Sequence, residues 1–178
     1  SVMFDGSKLS LKENIKITSK IAKITKSYQV SLEGEVGLVG YHNGINSEGT
    51  TLFEAKKFSN ESGVDAMAIS VGNTHLQTSK IAKIDYNKIK QIEKVSDIPL
   101  VLHGSSGISY NLRKKIARNT KVAKFNIGTE LRMIAGESLK DNIKKNKKNF
   151  DRLQLIKPTI KNIKNATMKV IKNIGPKK

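Results

Sequence analysis

The sequence contains no cysteine and no tryptophan, only three prolines, and 5% aromatic residues. Without cysteine there is neither a disulfide framework nor a thiolate metal site, so any metal would rest on His, Asp or Glu. No apolar run approaches the length that crosses a bilayer, and the first residues do not form a signal peptide. A cytoplasmic location, with no membrane partner, is the default expectation. Acidic residues are scarce as well: 15 Asp+Glu stand against 33 Lys+Arg, a formal charge of +18. Such a balance suits nucleic acid. The lysines, however, are scattered along the chain, and the one dense cluster, Lys140 to Lys148, has no interleaved aromatics to stack bases. They read as solvated surface in a chain rich in Lys, Ile and Asn, with nucleic-acid binding as the alternative.

What is present is organised around Ile98-Pro99-Leu100-Val101-Leu102-His103-Gly104-Ser105-Ser106-Gly107. An apolar run of strand length reads as a buried parallel strand, because both of its faces are covered. It ends in a metal-ligand type of residue and empties into a loop whose backbone N–H groups and hydroxyls suit a phosphate. At 178 residues the chain is long enough for one domain with a real core.

In order, Ser1 to Ser7 opens as a strand running into a loop. Ser10-Leu11-Lys12-Glu13 is a capping box, with Ile17, Ile21 and Ile24 as the helical stripe. Gln29 to Glu35 is a second strand, followed by a loop with Gly37, Gly40 and Gly44. Thr51 and Glu54 repeat the capping spacing, with Leu52, Ala55 and Phe58 facing inward, and Asp65 to Val71 is a third strand delivering His75. Asp85 opens a helix with Ile89, Ile92 and Val95. The Pro99 to Leu102 strand, a short helix capped by Ser109 and a fifth strand, Val122 to Ile127, complete the alternation. Two helices close the chain, the second between Pro158 and Gly175-Pro176 with Ile160, Ile163, Val170 and Ile174 as its apolar positions.

Five strand–helix alternations imply a parallel sheet with right-handed crossovers. A doubly wound sheet and a barrel both fit. Asp5, Glu35, His75, His103 and Asn126 each end a different strand. A barrel gathers all such ends on one rim, whereas an open sheet gathers chiefly those at its switch point. The expectation is an α/β fold: an incomplete TIM barrel of five C-terminal β/α units plus a C-terminal helix, residues 1–178 forming a single partial domain.

Two imidazoles on consecutive strand ends can supply two of the three protein ligands of a catalytic zinc, or they can be hydrogen-bonded structural histidines. His42 receives no role. Asn126-Ile127-Gly128-Thr129 runs from a strand into a helix and forms either a second anion site or an ordinary N-cap with Thr129 capping. Asp5 and Glu35 can orient a ligand, bind a cation, or cap the helix that follows.

Five segments carry a resemblance: Ser1 to Ser7, Glu33-Gly34-Glu35-Val36-Gly37, Val64-Asp65-Ala66-Met67-Ala68, Leu100-Val101-Leu102-His103-Gly104, and Lys124 to Arg132. Nearly the whole chain resembles, in order, the class II ketose-bisphosphate aldolases, in the fructose- and tagatose-bisphosphate branch. The resemblance implies a zinc-dependent lyase that cleaves a ketose 1,6-bisphosphate to dihydroxyacetone phosphate and glyceraldehyde 3-phosphate, by Lewis-acid catalysis with a general base. Its partner is then a small phosphosugar, and the complete protein is a homo-oligomer. On this resemblance His75 and His103 are two of the three Zn2+ ligands. Gly104, Ser105 and Ser106 hold the triose phosphate, and Asn126, Ile127, Gly128 and Thr129 form a second substrate-binding loop.

The chain also departs from that pattern. The family's strand with the third zinc histidine and the acid/base aspartate is expected upstream of Ser1, so a catalytic residue is not assigned and the fragment alone is expected to be inactive. Leu76 stands where the family usually has glycine, Thr78-Ser79 where it has Tyr-Lys, and His42-Asn43 where it has an acidic pair. Another phosphosugar barrel enzyme is the remaining alternative, though an isomerase without a metal has no need of paired histidines.

Overall fold

The structure, a computed structural model, describes residues 1–41 and 49–175, so His42, Asn43 and Gly44 lie outside it. Among the described residues, seven strands and six helices follow one another. They are β1 (Val2–Phe4), α1 (Leu11–Ser27), β2 (Leu32–Val36), β3 (Gly40–Tyr41), α2 (Leu52–Glu61), β4 (Ala66–Ile69), β5 (Thr74–His75), α3 (Tyr86–Val95), β6 (Leu100–Leu102), α4 (Tyr110–Asn119), β7 (Val122–Phe125), α5 (Thr129–Lys145) and α6 (Arg152–Ile174). A 3-10 turn, Ser105–Gly107, lies between β6 and α4. The main sheet is parallel throughout, in the order β1-β2-β4-β6-β7, and β3 and β5 make a separate parallel pair.

Side-chain alternation decides which face is which. Leu32 and Val36 of β2, Met67 and Ile69 of β4, and Leu100 and Leu102 of β6 are buried in one cluster with Ile15 and Ala22 of α1, Ala55 and Phe58 of α2, Ile89 and Ile92 of α3, and Ile116 of α4. Gly34 lets α2 approach, since a Cβ there would lie 2.8 Å from the Phe58 ring. The intervening positions, Glu33, Glu35, Ala66, Ala68, Val101 and Lys124, belong to the other face. A register shift between Leu100 and Val101 pairs Val101 with Lys124, which keeps that lysine on the same face as the glutamates. With every crossover helix on one side, the sheet is the wall of a barrel and not the middle layer of a doubly wound fold.

The capping boxes of α1 and α2 form as expected, with Ser10 and Thr51 each exchanging bonds with the glutamate three residues on. Four expectations need correction. Leu52 of α2 is exposed and does not face inward, since that helix buries Ala55 and Phe58. Ile17 and Ile24 are exposed, and α1 instead buries Asn14, Ile15, Thr18, Ala22 and Thr25. Asn14 turns inward because its amide donates to the Glu35 carbonyl at 2.8 Å. His75 does not end a strand of the main sheet: Gly72, at φ +93°, breaks the chain after β4, and His75 sits on β5. Finally, α6 starts at Arg152, capped by Asp151, so Pro158 lies inside it and does not precede it. The carbonyl that a Pro158 N–H would have served belongs to Gln154. It and Leu155 O both accept from Asn142 Nδ2 of α5, at 3.4 and 2.6 Å.

Candidate active site

His75 ends β5 and His103 directly follows β6, and their side chains come together. The ring centres of His75 and His103 are 5.9 Å apart, tilted by 58°. Two imidazoles on one tetrahedral zinc would place their centres about 5 Å apart, from Zn–N distances of about 2.0–2.1 Å. His103 is buried and held from both sides, Nε2 lying 2.9 Å from Glu33 Oε1 and Nδ1 3.1 Å from Glu35 Oε2. Glu33 turns its second oxygen to Lys124 Nζ, at 2.5 Å. Burial opposes charge on the His103 ring, but the two carboxylates outweigh it and raise the pKa to about 9. Burial and the neighbouring His103 lower that of His75.

These groups fit a zinc site in part. Carboxylate-bound imidazoles are the usual way of orienting a metal-binding histidine, and to take a metal His103 would have to lose a proton and exchange one carboxylate contact for it. Among the described residues, no three His, Asp or Glu side chains cluster as a metal site. Two ligands are therefore on hand and a third is not.

Beside the imidazoles is a cavity of about 510 Å3 lined by His75, Leu76, Gly104, Ser106, Phe125, Asn126, Ile127, Gly128, Thr129 and Arg132. The loop after β6 turns sharply at Gly104, φ +60°, where a Cβ would lie 2.2 Å from the Thr74 carbonyl. No L side chain fits that approach. Ser106 Oγ accepts the Glu130 amide at 3.1 Å, leaving its proton for a ligand. Ser105 is different: its hydroxyl donates to Leu102 O at 2.7 Å and its amide to Asn126 O, so it braces the two loops and does not line the cavity.

The N-terminus of α5 also opens here. Its N-cap is Gly128, which has no side chain of its own to cap it, so Thr129 is the first helical residue and not the cap. The Glu130 amide is already taken by Ser106 Oγ, and the other amides at the helix start favour an anion. Asp5, by contrast, accepts the amide and hydroxyl of Ser7 and acts as a local turn brace.

Several residues at the site carried no assignment from sequence. Glu33 lies two positions before Glu35, which in a strand puts both on one face, and that spacing was a usable signal. Arg132 lines the cavity one helical turn after Thr129, to whose hydroxyl it donates at 3.2 Å. Lys80, Arg113 and Glu130 are joined only by the fold. Leu76, beside His75, holds φ +58° and is 55% exposed.

Comparison with known proteins follows the same lines. The chain is 40% identical over 149 residues to the fructose-bisphosphate aldolase of Ureaplasma parvum, covering 82% of this chain and 51% of that protein. It is 32% identical over 180 residues to the 6-phospho-5-dehydro-2-deoxy-D-gluconate aldolase of Shouchella clausii, covering 98% and 60%. Among solved structures it is similar to the YdjI aldolase of Escherichia coli K12, with a TM-score of 0.77, 26% identity, and 97% and 59% coverage. The fold is shared with the Campylobacter jejuni fructose-bisphosphate aldolase, at a TM-score of 0.75, 21% identity, and 97% and 58% coverage. The chain thus spans about half to three-fifths of the length of these relatives. The family profile described as fructose-bisphosphate aldolase class-II matches residues 1–178, and the chain belongs to that family.

Proposed function

We propose that this chain forms the C-terminal part of a metal-dependent aldolase site that cleaves a ketose 1,6-bisphosphate to dihydroxyacetone phosphate and glyceraldehyde 3-phosphate. The observation that carries the reading is the convergence of His75 and His103 beside a cavity with two anion-binding loops. His75 and His103 would hold the zinc, which when bound supplies Lewis-acid polarisation of the substrate carbonyl. Glu33 and Glu35 set the orientation of the His103 ring.

Gly104 and the Ser106 hydroxyl take the phosphate of the triose half. The amides at the start of α5 add their partial positive charge, and Arg132 adds a full one. Asn126 faces the reacting carbons from between the two loops and orients the substrate's hydroxyl oxygens. The third ligand and the group that abstracts the proton come from the part of the relatives' length that this chain does not match. Residues 1–178 are accordingly a partial barrel domain that turns over no substrate by itself.

The test is zinc binding to the chain, followed by equilibrium dialysis, together with cleavage assays on fructose and tagatose 1,6-bisphosphate. His75→Ala and His103→Ala should each lose most of the bound zinc while Asn126→Ala keeps it. Unchanged zinc content in both histidine variants, or cleavage by the chain alone, overturns the reading.

A further inference from the structure

The segment after His75 runs along the back of the phosphate loop. The Gln77 side chain packs against Gly107, where a Cβ would lie 1.6 Å from its Oε1. Ala82 N donates to Gly107 O at 3.1 Å. Between these contacts Lys80 Nζ donates twice, to Ser106 O at 2.7 Å and to Glu130 Oε2 at 2.6 Å. Glu130 belongs to the first turn of α5, and its amide bonds the Ser106 hydroxyl at 3.1 Å. Its carboxylate oxygen is held from the other side by Arg113 Nη1 at 2.9 Å, and Arg113, 2% exposed, is fixed in turn by Asn173 Oδ1 at 2.8 Å.

An exposed ion pair is worth little when both partners must be ordered to make it. Glu130 is already ordered by Arg113, so Lys80 meets a fixed acceptor and a fixed carbonyl. Two cations on one carboxylate also leave the triad with one net positive charge directly behind the loop that receives the anion. We propose that Lys80 is a positioning residue for phosphate: it fastens the Ser105–Gly107 turn to the start of α5, so that the two anion-binding loops act as one cradle with a net positive backing. The role rests on the aldolase reading above, and it lies outside the residues that line the cavity.

The experiment is a titration of the 178-residue chain with inorganic phosphate, followed by backbone amide NMR, alongside native-state amide exchange. In the wild type, phosphate should shift the amides of Ser105–Gly107 and of Thr129 and Glu130 together. Lys80→Met should weaken phosphate about five- to ten-fold, because it removes a nearby positive charge and the two bonds that anchor the cradle to Ser106 O and Glu130. It should also speed exchange at Glu130 and Gly107 without changing exchange in the α1–α3 core. Lys80→Arg should restore both, and Lys83→Met, which removes the same charge from the same segment, should behave as wild type. Phosphate shifts absent from the wild type overturn the aldolase reading and this role with it. Shifts present and equal in wild type and Lys80→Met, with exchange unchanged, overturn the role of Lys80 alone.

Discussion

Replacing Arg113 with methionine tests how the C-terminal helix is tied to the site. Arg113 is the largest fully buried side chain among the described residues, and it joins Asn173 of α6 to Glu130 of α5 from its own place on α4. Methionine fills most of the stem volume, so the loss is chiefly polar. Removing one partner of a buried ion pair costs about 3–5 kcal/mol when the other is left uncompensated. Here Glu130 is 23% exposed and keeps Lys80, which cuts that figure, while Asn173 Oδ1 is stranded at a cost of about 1–3 kcal/mol. The expected destabilisation is therefore about 2–4 kcal/mol, a fall of about 1–2 M in the urea midpoint at an m-value near 2 kcal/mol/M. Adding Asn173→Leu removes the stranded oxygen and should recover part of the loss. The acid limb gives a second readout. Burial pushes the Glu130 carboxyl up, but Arg113 and Lys80 outweigh it and hold it below the usual value. Its contribution is present above the unfolded carboxyl's pKa and is lost as pH falls through the lower folded one. Arg113→Met should flatten the stability profile over that acid range. A loss within the roughly 0.5 kcal/mol typical of surface substitutions, with an unchanged acid limb, would refute the account.

Leu76→Gly should stabilise the chain by about 0.5–1 kcal/mol, because the left-handed backbone costs a side-chain-bearing residue more than glycine loses in unfolded freedom. A lower melting temperature would show that the exposed leucine is packed after all. Gly104→Ala should cost at least about 2 kcal/mol, since it forces both a strained φ and a contact with Thr74 O, and phosphate-induced shifts in the cradle amides should vanish with it. Asn142→Leu should cost about 0.5–1.5 kcal/mol by removing its hydrogen bonds to the carbonyls of Gln154 and Leu155. Amide exchange should then rise around Pro158 first, and uniform protection along α6 would contradict the role of Asn142.

Much of this protein was determined by its sequence alone. Capping boxes at Ser10 and Thr51 are local: the groups that bond are three residues apart, so their spacing is their geometry. The same holds for the strand–helix alternation, and parallel connections then deliver His75, His103 and Asn126 to one end of the fold. Periodicity, however, sets the spacing of an apolar stripe and not its phase. In α1 the residues at 17, 21 and 24 carry the isoleucines, yet the helix turns Thr18, Ala22 and Thr25 inward, because Asn14 finds the Glu35 carbonyl. Likewise Pro158 reads as a helix boundary until Asn142, on a different helix, serves the carbonyls around it. The grip of Glu33 and Glu35 on His103 and the Lys80–Glu130–Arg113–Asn173 chain were decided by tertiary structure only. Those partners lie up to 70 residues apart, and a charged side chain does not declare in sequence which distant charge will offset its burial.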